Sequence, residues 1–194
     1  MNIGIYIYDE AEVLDFSGPF EVFSVASRFL SDNEKFNTFL ISENQSTIIA
    51  RGGFQVNTHF TFDNTPTLDV LVVVGGIHTD EVKKTSVIDW IKKESKKVKF
   101  IASVCTGAFL LAEANVIINH KVTTHWEDIS DLRDNYPSLD VVEGVRWVDV
   151  GEVITSAGIS AGIDMSLHLI SKLKNEELAV RTAKQMQFDW SKNN

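Results

Sequence analysis

The stretch "VKFIASVCTGAFLLAEAN", residues 98–115, changes character at a single residue. Up to Val104 it is mostly apolar and β-branched, which suits a buried strand; from Thr106 onward "TGAFLLAEA" consists largely of helix formers. Between the two stands Cys105, the chain's only cysteine. A strand feeding straight into a helix is the repeating unit of a parallel α/β sheet, and in such sheets functional groups gather outside the carboxyl ends of the strands. Spacing alone leaves two readings of Cys105 open. A lone cysteine commonly packs as a small hydrophobe. At a strand-to-helix turn it also faces free backbone N–H groups, which lower a thiol pKa and make the thiolate available.

Working outward, "DVLVVVGG" (69–76) reads as a central parallel strand, and Gly75 and Gly76 leave amides unshielded where a developing negative charge could be held. "NIGIYIY" (2–8) and "FNTFLIS" (36–42) are further strands, while "STIIARGGFQVNTHFTF" (46–62) alternates around Gly-Gly like a hairpin. "DFSGPFEVFSVASRFL" (15–30) reads as a turn followed by an amphipathic helix. Residues 86–98 and 127–137 are helical, the latter stopped by Pro137. A short strand at 120–124, a strand pair around a turn at Asp149–Gly151 and two closing helices complete the pattern. The alternation predicts an α/β three-layer sandwich with a mostly parallel central sheet, spread as one domain over residues 1–194. Phe16, Phe20, Phe23, Phe54 and Trp126 are expected mostly in the core, with one or two lining a pocket.

Composition narrows the function classes. With 44% hydrophobic and 23% charged residues the chain is an ordinary globular protein, and its formal net charge of -9 makes nucleic acid and acidic membranes poor partners. The one dense basic run, "KKESKKVK" (92–99), reads as a solvated helix face. A single cysteine excludes an intrachain disulfide, and His59, His78, His120 and His168 lack zinc-site spacing, so no metal is expected. No run approaches the roughly 20 apolar residues of a membrane span, and "MNIGIYIYDE" enters strand-like sequence without a leader. These features point to the cytoplasm, where a thiol stays reduced.

Five motifs then carry a resemblance: "VLDFSGPFEVF", "LVVVGG", "ASVCTGAFLLAEANVI", "VTTHW" and "TSAGISAGID". In this order they resemble the ThiJ/PfpI superfamily over nearly the whole chain, and most closely its isocyanide hydratases and the amidase-like domains of AraC-type regulators. The resemblance implies a flavodoxin-like, class I glutamine amidotransferase-like fold and a homodimer acting on a small molecule without a cofactor. It makes Cys105 the nucleophile, held on a strained elbow, and Asp15 of the LD-x-x-GP motif its general acid/base partner. The bland alternative for Asp15 is an N-cap of a helix beginning near Phe16 or Ser17. Thr106 stands where the proteolytic branch carries histidine, which disfavours a peptidase.

The same resemblance places the pocket between Asp15, Gly75–Gly76, Cys105–Thr106 and Gly158–Ile159. The Gly76 and Thr106 amides are its expected anion holders, and Ile159 a wall. His125 reads as a hydrogen-bonded histidine beside a packed Trp126, and Asp164 as a stabiliser of its helix start. Between the two acidic groups of the site, Cys105 is expected to ionise more easily while Asp15 keeps a proton for it. The function expected first is cofactor-independent hydration of an isocyanide. The alternatives are a ligand-binding or redox-sensing domain and glyoxalase- or deglycase-like chemistry on α-oxoaldehydes. The regulators continue into a DNA-binding region of roughly 100 residues for which a chain ending at Asn194 has no room, so DNA contact is not expected.

Overall fold

A computed structural model describes residues 1–193. β1 (Asn2–Tyr6) leads into α1 (Val13–Ser27) and β2 (Asn37–Ser42). A hairpin of β3 (Thr47–Ala50) and β4 (Phe54–Asn57) precedes β5 (Phe60–Thr61). Next come β6 (Val70–Val73), α2 (Thr85–Ser95), β7 (Phe100–Ser103) and α3 (Gly107–Glu113). The chain continues through β8 (Lys121–Val122), α4 (Ile129–Asn135), β9 (Asp140–Val141), β10 (Trp147–Asp149) and β11 (Val153–Ser156), and closes with α5 (Ala161–Leu173) and α6 (Glu176–Gln185).

Seven strands form the central sheet in the order β10-β11-β7-β6-β1-β2-β5, every neighbouring pair parallel except β10 with β11. One row across it runs Leu40, Ile5, Val72, Ala102, Ile154, all buried. Such strands are apolar on both faces because helices cover both: α1 and α5 pack together on one, joined by α6, and α2 with α3 on the other. Each buried Leu, Ile, Val or Phe side chain contributes about 1.5–3 kcal/mol. Because β6, β7 and β11 are adjacent and parallel, their carboxyl ends open onto the same edge of the sheet.

Four expectations need correction. The helix read after a turn at residue 15 begins earlier, at Val13, so Asp15 lies inside its first turn. It is not amphipathic either: Phe16, Val22, Phe23, Val25 and Ala26 are all buried, because α1 packs on β1 and β2 and also against α5 and α6. The 46–62 hairpin is real only to Asn57; Phe60 and Thr61 leave it and pair with the edge strand β2. Of the aromatic residues expected in the core, Phe16 and Phe23 are buried, but Phe54 at the start of β4 and Trp126 beyond β8 are exposed, at 52% and 74%. Both stand on segments outside the central sheet, where no helix layer closes over them.

Candidate active site

The elbow is built by hydrogen bonds on both sides of one residue. Cys105 takes φ 55°, a left-handed conformation that costs a non-glycine residue about 1–3 kcal/mol and persists only where the surroundings impose it. Its N–H donates to the Ala157 carbonyl at 3.3 Å, its carbonyl accepts from Thr124 Oγ1 at 2.8 Å, and α3 starts two residues later. The turn after β6 presses against this elbow. A Cβ at Gly75 would lie 2.6 Å from the Thr106 nitrogen and 2.8 Å from Cys105 Cβ, so only glycine permits the approach. Thr106 Oγ1 donates to the Gly76 carbonyl and accepts from the Gly76 N–H, both at 3.0 Å, tying the two turns together.

Asp15 reaches this point from α1. Its side chain is fully buried, and Oδ2 accepts the Gly75 N–H at 3.0 Å. Oδ1 is buried without a donor, while the Cys105 thiol and the Ile159 amide are the groups beside the carboxyl. Asp15 is therefore not a helix cap: the cap position is Glu12, and the carboxyl bonds an amide 60 residues away. Burial pushes its pKa up to about 7, against the lowering by the Gly75 amide.

The thiol departs from expectation. Burial, and then the Asp15 charge, push Cys105 upward, and the Thr106 and Ile159 amides offset this only in part. Asp15 thus ionises first and the resting proton sits on sulfur, the reverse of the sequence expectation. The helix start favours a thiolate, but the loss of water around a sulfur whose residue is 7% exposed outweighs it. A second correction concerns the anion holders. The Gly75 and Gly76 amides are taken up by Asp15 and Thr106, and the amides aimed at sulfur are those of Thr106 and Ile159.

Gly158 and His125 pack ring to backbone: a Cβ at Gly158 would sit 1.9 Å from His125 Cδ2. His125 Nδ1 lies 3.4 Å from Asp128 Oδ2 and the residue lines the pocket; its ring sits 5.8 Å from that of Trp126, which is not packed in the core but exposed. The cavity over Cys105 has a volume of about 560 Å³, and Gly76, Thr106, His125 and Ile159 line it. Four further lining residues escaped the sequence reading: Glu12, Arg51, Glu127 and Asp128. The first precedes the LD-x-x-GP motif and the last two follow "THW", so neighbourhood to a motif was the available signal. Arg51, whose Nε lies 3.7 Å from Glu12 Oε2, arrives from the hairpin tip and had none. Tyr8 was also missed: it is buried beneath the elbow beside Thr106, and burial, Glu81 and Asp15 keep its hydroxyl protonated.

Among the described residues no cluster of His, Cys, Asp and Glu is arranged to hold a metal ion, and no helix is long and apolar enough to cross a membrane. What the site can do chemically is move one proton between a thiol and a buried carboxyl. Residues 1–172 match the DJ-1/PfpI family. The HTH-type transcriptional regulator CdhR of Pseudomonas aeruginosa is 30% identical over 173 residues, covering 89% of this chain and 51% of the regulator. The isonitrile hydratase of Pseudomonas putida is 27% identical over 189 residues, covering 97% of this chain and 78% of the hydratase. A ThiJ/PfpI family protein from Pseudomonas syringae superposes with a TM-score of 0.86 at 21% identity, covering 100% of this chain and 77% of that one. The chain spans about half the length of the regulator it matches.

Proposed function

The chain belongs to the DJ-1/PfpI family, and from that premise we propose that it is a cofactor-independent hydratase converting an isocyanide and water into an N-substituted formamide. The observation that carries the reading is the pairing of Cys105 with Asp15, a carboxyl poised near pH 7 beside a thiol, with threonine following the cysteine. Asp15 takes the thiol proton as sulfur attacks the terminal isocyanide carbon. It then returns that proton to the same carbon, leaving a thioimidate, R–N=CH–S, on Cys105. Water adds across the C=N bond, the tetrahedral adduct expels sulfur, and the proton balance closes with the thiol restored and R–NH–CHO released. The Thr106 and Ile159 amides stabilise the charge on sulfur at both ends of this cycle.

A second reading, a ligand-binding or sensing domain, is favoured by the similarity to the regulator CdhR. In it the same pocket captures a small molecule without turning it over. Chemistry on α-oxoaldehydes through Cys105 is a third. We place the protein in the cytoplasm, where the thiol stays reduced. We assign homodimerisation to the apolar groove of about 460 Å³ lined by Leu14, Phe20, Phe54 and Met186; a monomer at micromolar concentration by sedimentation equilibrium removes that assignment. The deciding assay follows formamide release from several alkyl and aryl isocyanides. Turnover abolished by Cys105→Ala supports the hydratase, whereas ligand-induced thermal stabilisation without turnover favours the sensor.

A further inference from the structure

Of the two amides that face the Cys105 sulfur, that of Ile159 belongs to a strained residue, and the groups that hold that residue lie outside the pocket. Ile159 takes φ 53°, an outlying conformation for a β-branched side chain. Arg146 grips the chain on both sides of it. The Arg146 carbonyl accepts the Ala157 N–H at 2.9 Å, and its Nη2 donates to Ser160 Oγ at 3.3 Å. Ala157 is also the residue whose carbonyl holds the Cys105 N–H. The guanidinium is fixed in turn by the fully buried Asp164, which accepts from Nε at 2.8 Å and from Nη2.

The C-terminal segment completes the arrangement. Ser191 N–H donates to Asp164 Oδ1 at 2.8 Å, Trp190 Nε1–H to the Asp164 carbonyl at 3.1 Å, and the Arg146 N–H to Asn193 Oδ1 at 3.2 Å. Every polar atom of the Asp164 carboxylate is thus satisfied. A buried ion pair is weak as a source of stability, since desolvation consumes much of its attraction. A planar guanidinium fork does supply fixed geometry. We propose that Arg146 is a positioning residue: clamped by Asp164 and by Trp190–Asn193, it holds the Gly158–Ser160 turn so that the Ile159 amide stays on the Cys105 sulfur. The reactivity of the thiol is thereby set by a segment more than 80 residues away in sequence. The inference rests on the reading of Cys105 as the nucleophile.

The test is the second-order rate of Cys105 alkylation by iodoacetamide as a function of pH, measured on the full chain. It needs no isocyanide turnover, so the clamp and the hydratase reading fail separately. Asp15, Tyr8, His125, Asp128 and Glu12 face or neighbour the sulfur in every variant, so differences between profiles report the clamp. Arg146→Met lowers the rate at pH 8 about tenfold, the loss of one hydrogen bond to a charged group, and moves the profile upward by about one pH unit. Arg146→Lys, which keeps the charge but not the fork to Ser160, falls between Arg146→Met and the parent. Superimposable profiles for all three proteins, with only the melting temperature lowered, overturn the proposal. If Arg146→Met does not fold, Arg146→Lys decides alone: a rate equal to the parent's overturns it, and a several-fold loss supports it.

Discussion

Two aspartates occupy equivalent places in this molecule and have opposite surroundings. Asp15 lies in the first turn of α1 and Asp164 in the first turn of α5; both are fully buried, and the two helices pack on each other. The Asp164 carboxylate meets a guanidinium and an amide, so its charge is matched, and an indole on its main-chain carbonyl helps fix its position. Asp15 bonds the Gly75 amide through one oxygen and has only the Cys105 thiol and the Ile159 amide beside it; among the described residues no cation pairs with it. The same side chain in the first turn of a helix is structural in one case and reactive in the other, and the partner decides which. A buried carboxyl without a cation has its pKa driven up, and a carboxyl that titrates near neutrality can carry a proton both ways.

Removing the reactive member has the largest expected effect. Asp15→Asn keeps an acceptor for the Gly75 N–H but cannot move a proton, so formamide release falls about 10³-fold, within the range of general acid–base catalysis. The same substitution raises stability above pH 7. A carboxyl whose folded pKa is about 7 binds its proton more tightly when folded than when unfolded. Its ionisation therefore destabilises the fold progressively as pH rises from about 4, and fully above about 7. Urea denaturation at pH 8 shows the variant to be the more stable protein. Equal or lower stability would mean that Asp15 is well paired after all.

The structural member behaves in the other sense. Asp164→Asn costs about 2–3 kcal/mol in the same denaturation experiment, below the 3–5 kcal/mol of a deeply buried pair because the Arg146 side chain, 38% exposed, can turn to water. A loss below 0.5 kcal/mol would erase the contrast between the two aspartates. The pH–rate profile sharpens it further. As pH drops below about 7, Asp15 holds a proton and cannot accept the thiol's, so kcat/KM decreases about tenfold per unit. In Asp15→Asn the residual rate loses this limb. The smallest effect belongs to Trp126→Ser, which leaves stability within about 0.5 kcal/mol because a side chain 74% exposed has little burial to lose.

How much of this was legible in the sequence follows from the range of the interactions. The strand-to-helix elbow at Cys105, the glycines after β6 and the parallel sheet are local patterns of apolar runs and breaks, and they are read directly. That Asp15 lies beside the thiol came only from resemblance, since nothing in residues 13–20 announces a partner 90 positions away. The Gly76 amide looked free because its partner, Thr106 Oγ1, comes from another turn. Trp126 and Phe54 looked like core because hydrophobicity does not reveal whether a layer closes over a segment. The protonation order was misjudged for a similar reason: a helix start is visible in a sequence, whereas the depth of burial that outweighs it is not.

Asp15 and Cys105 share one proton, and the carboxyl ionises first. Difference infrared spectroscopy on protein carrying ¹³C-labelled aspartate follows the protonated carboxyl band from pH 4 to pH 9, with Asp15→Asn subtracted to isolate Asp15. The carboxyl band is expected to be lost with a midpoint of about 7 while the thiol S–H stretch of Cys105 persists through that range. A carboxyl already ionised at pH 5, or an S–H stretch that disappears before the carboxyl band does, contradicts it.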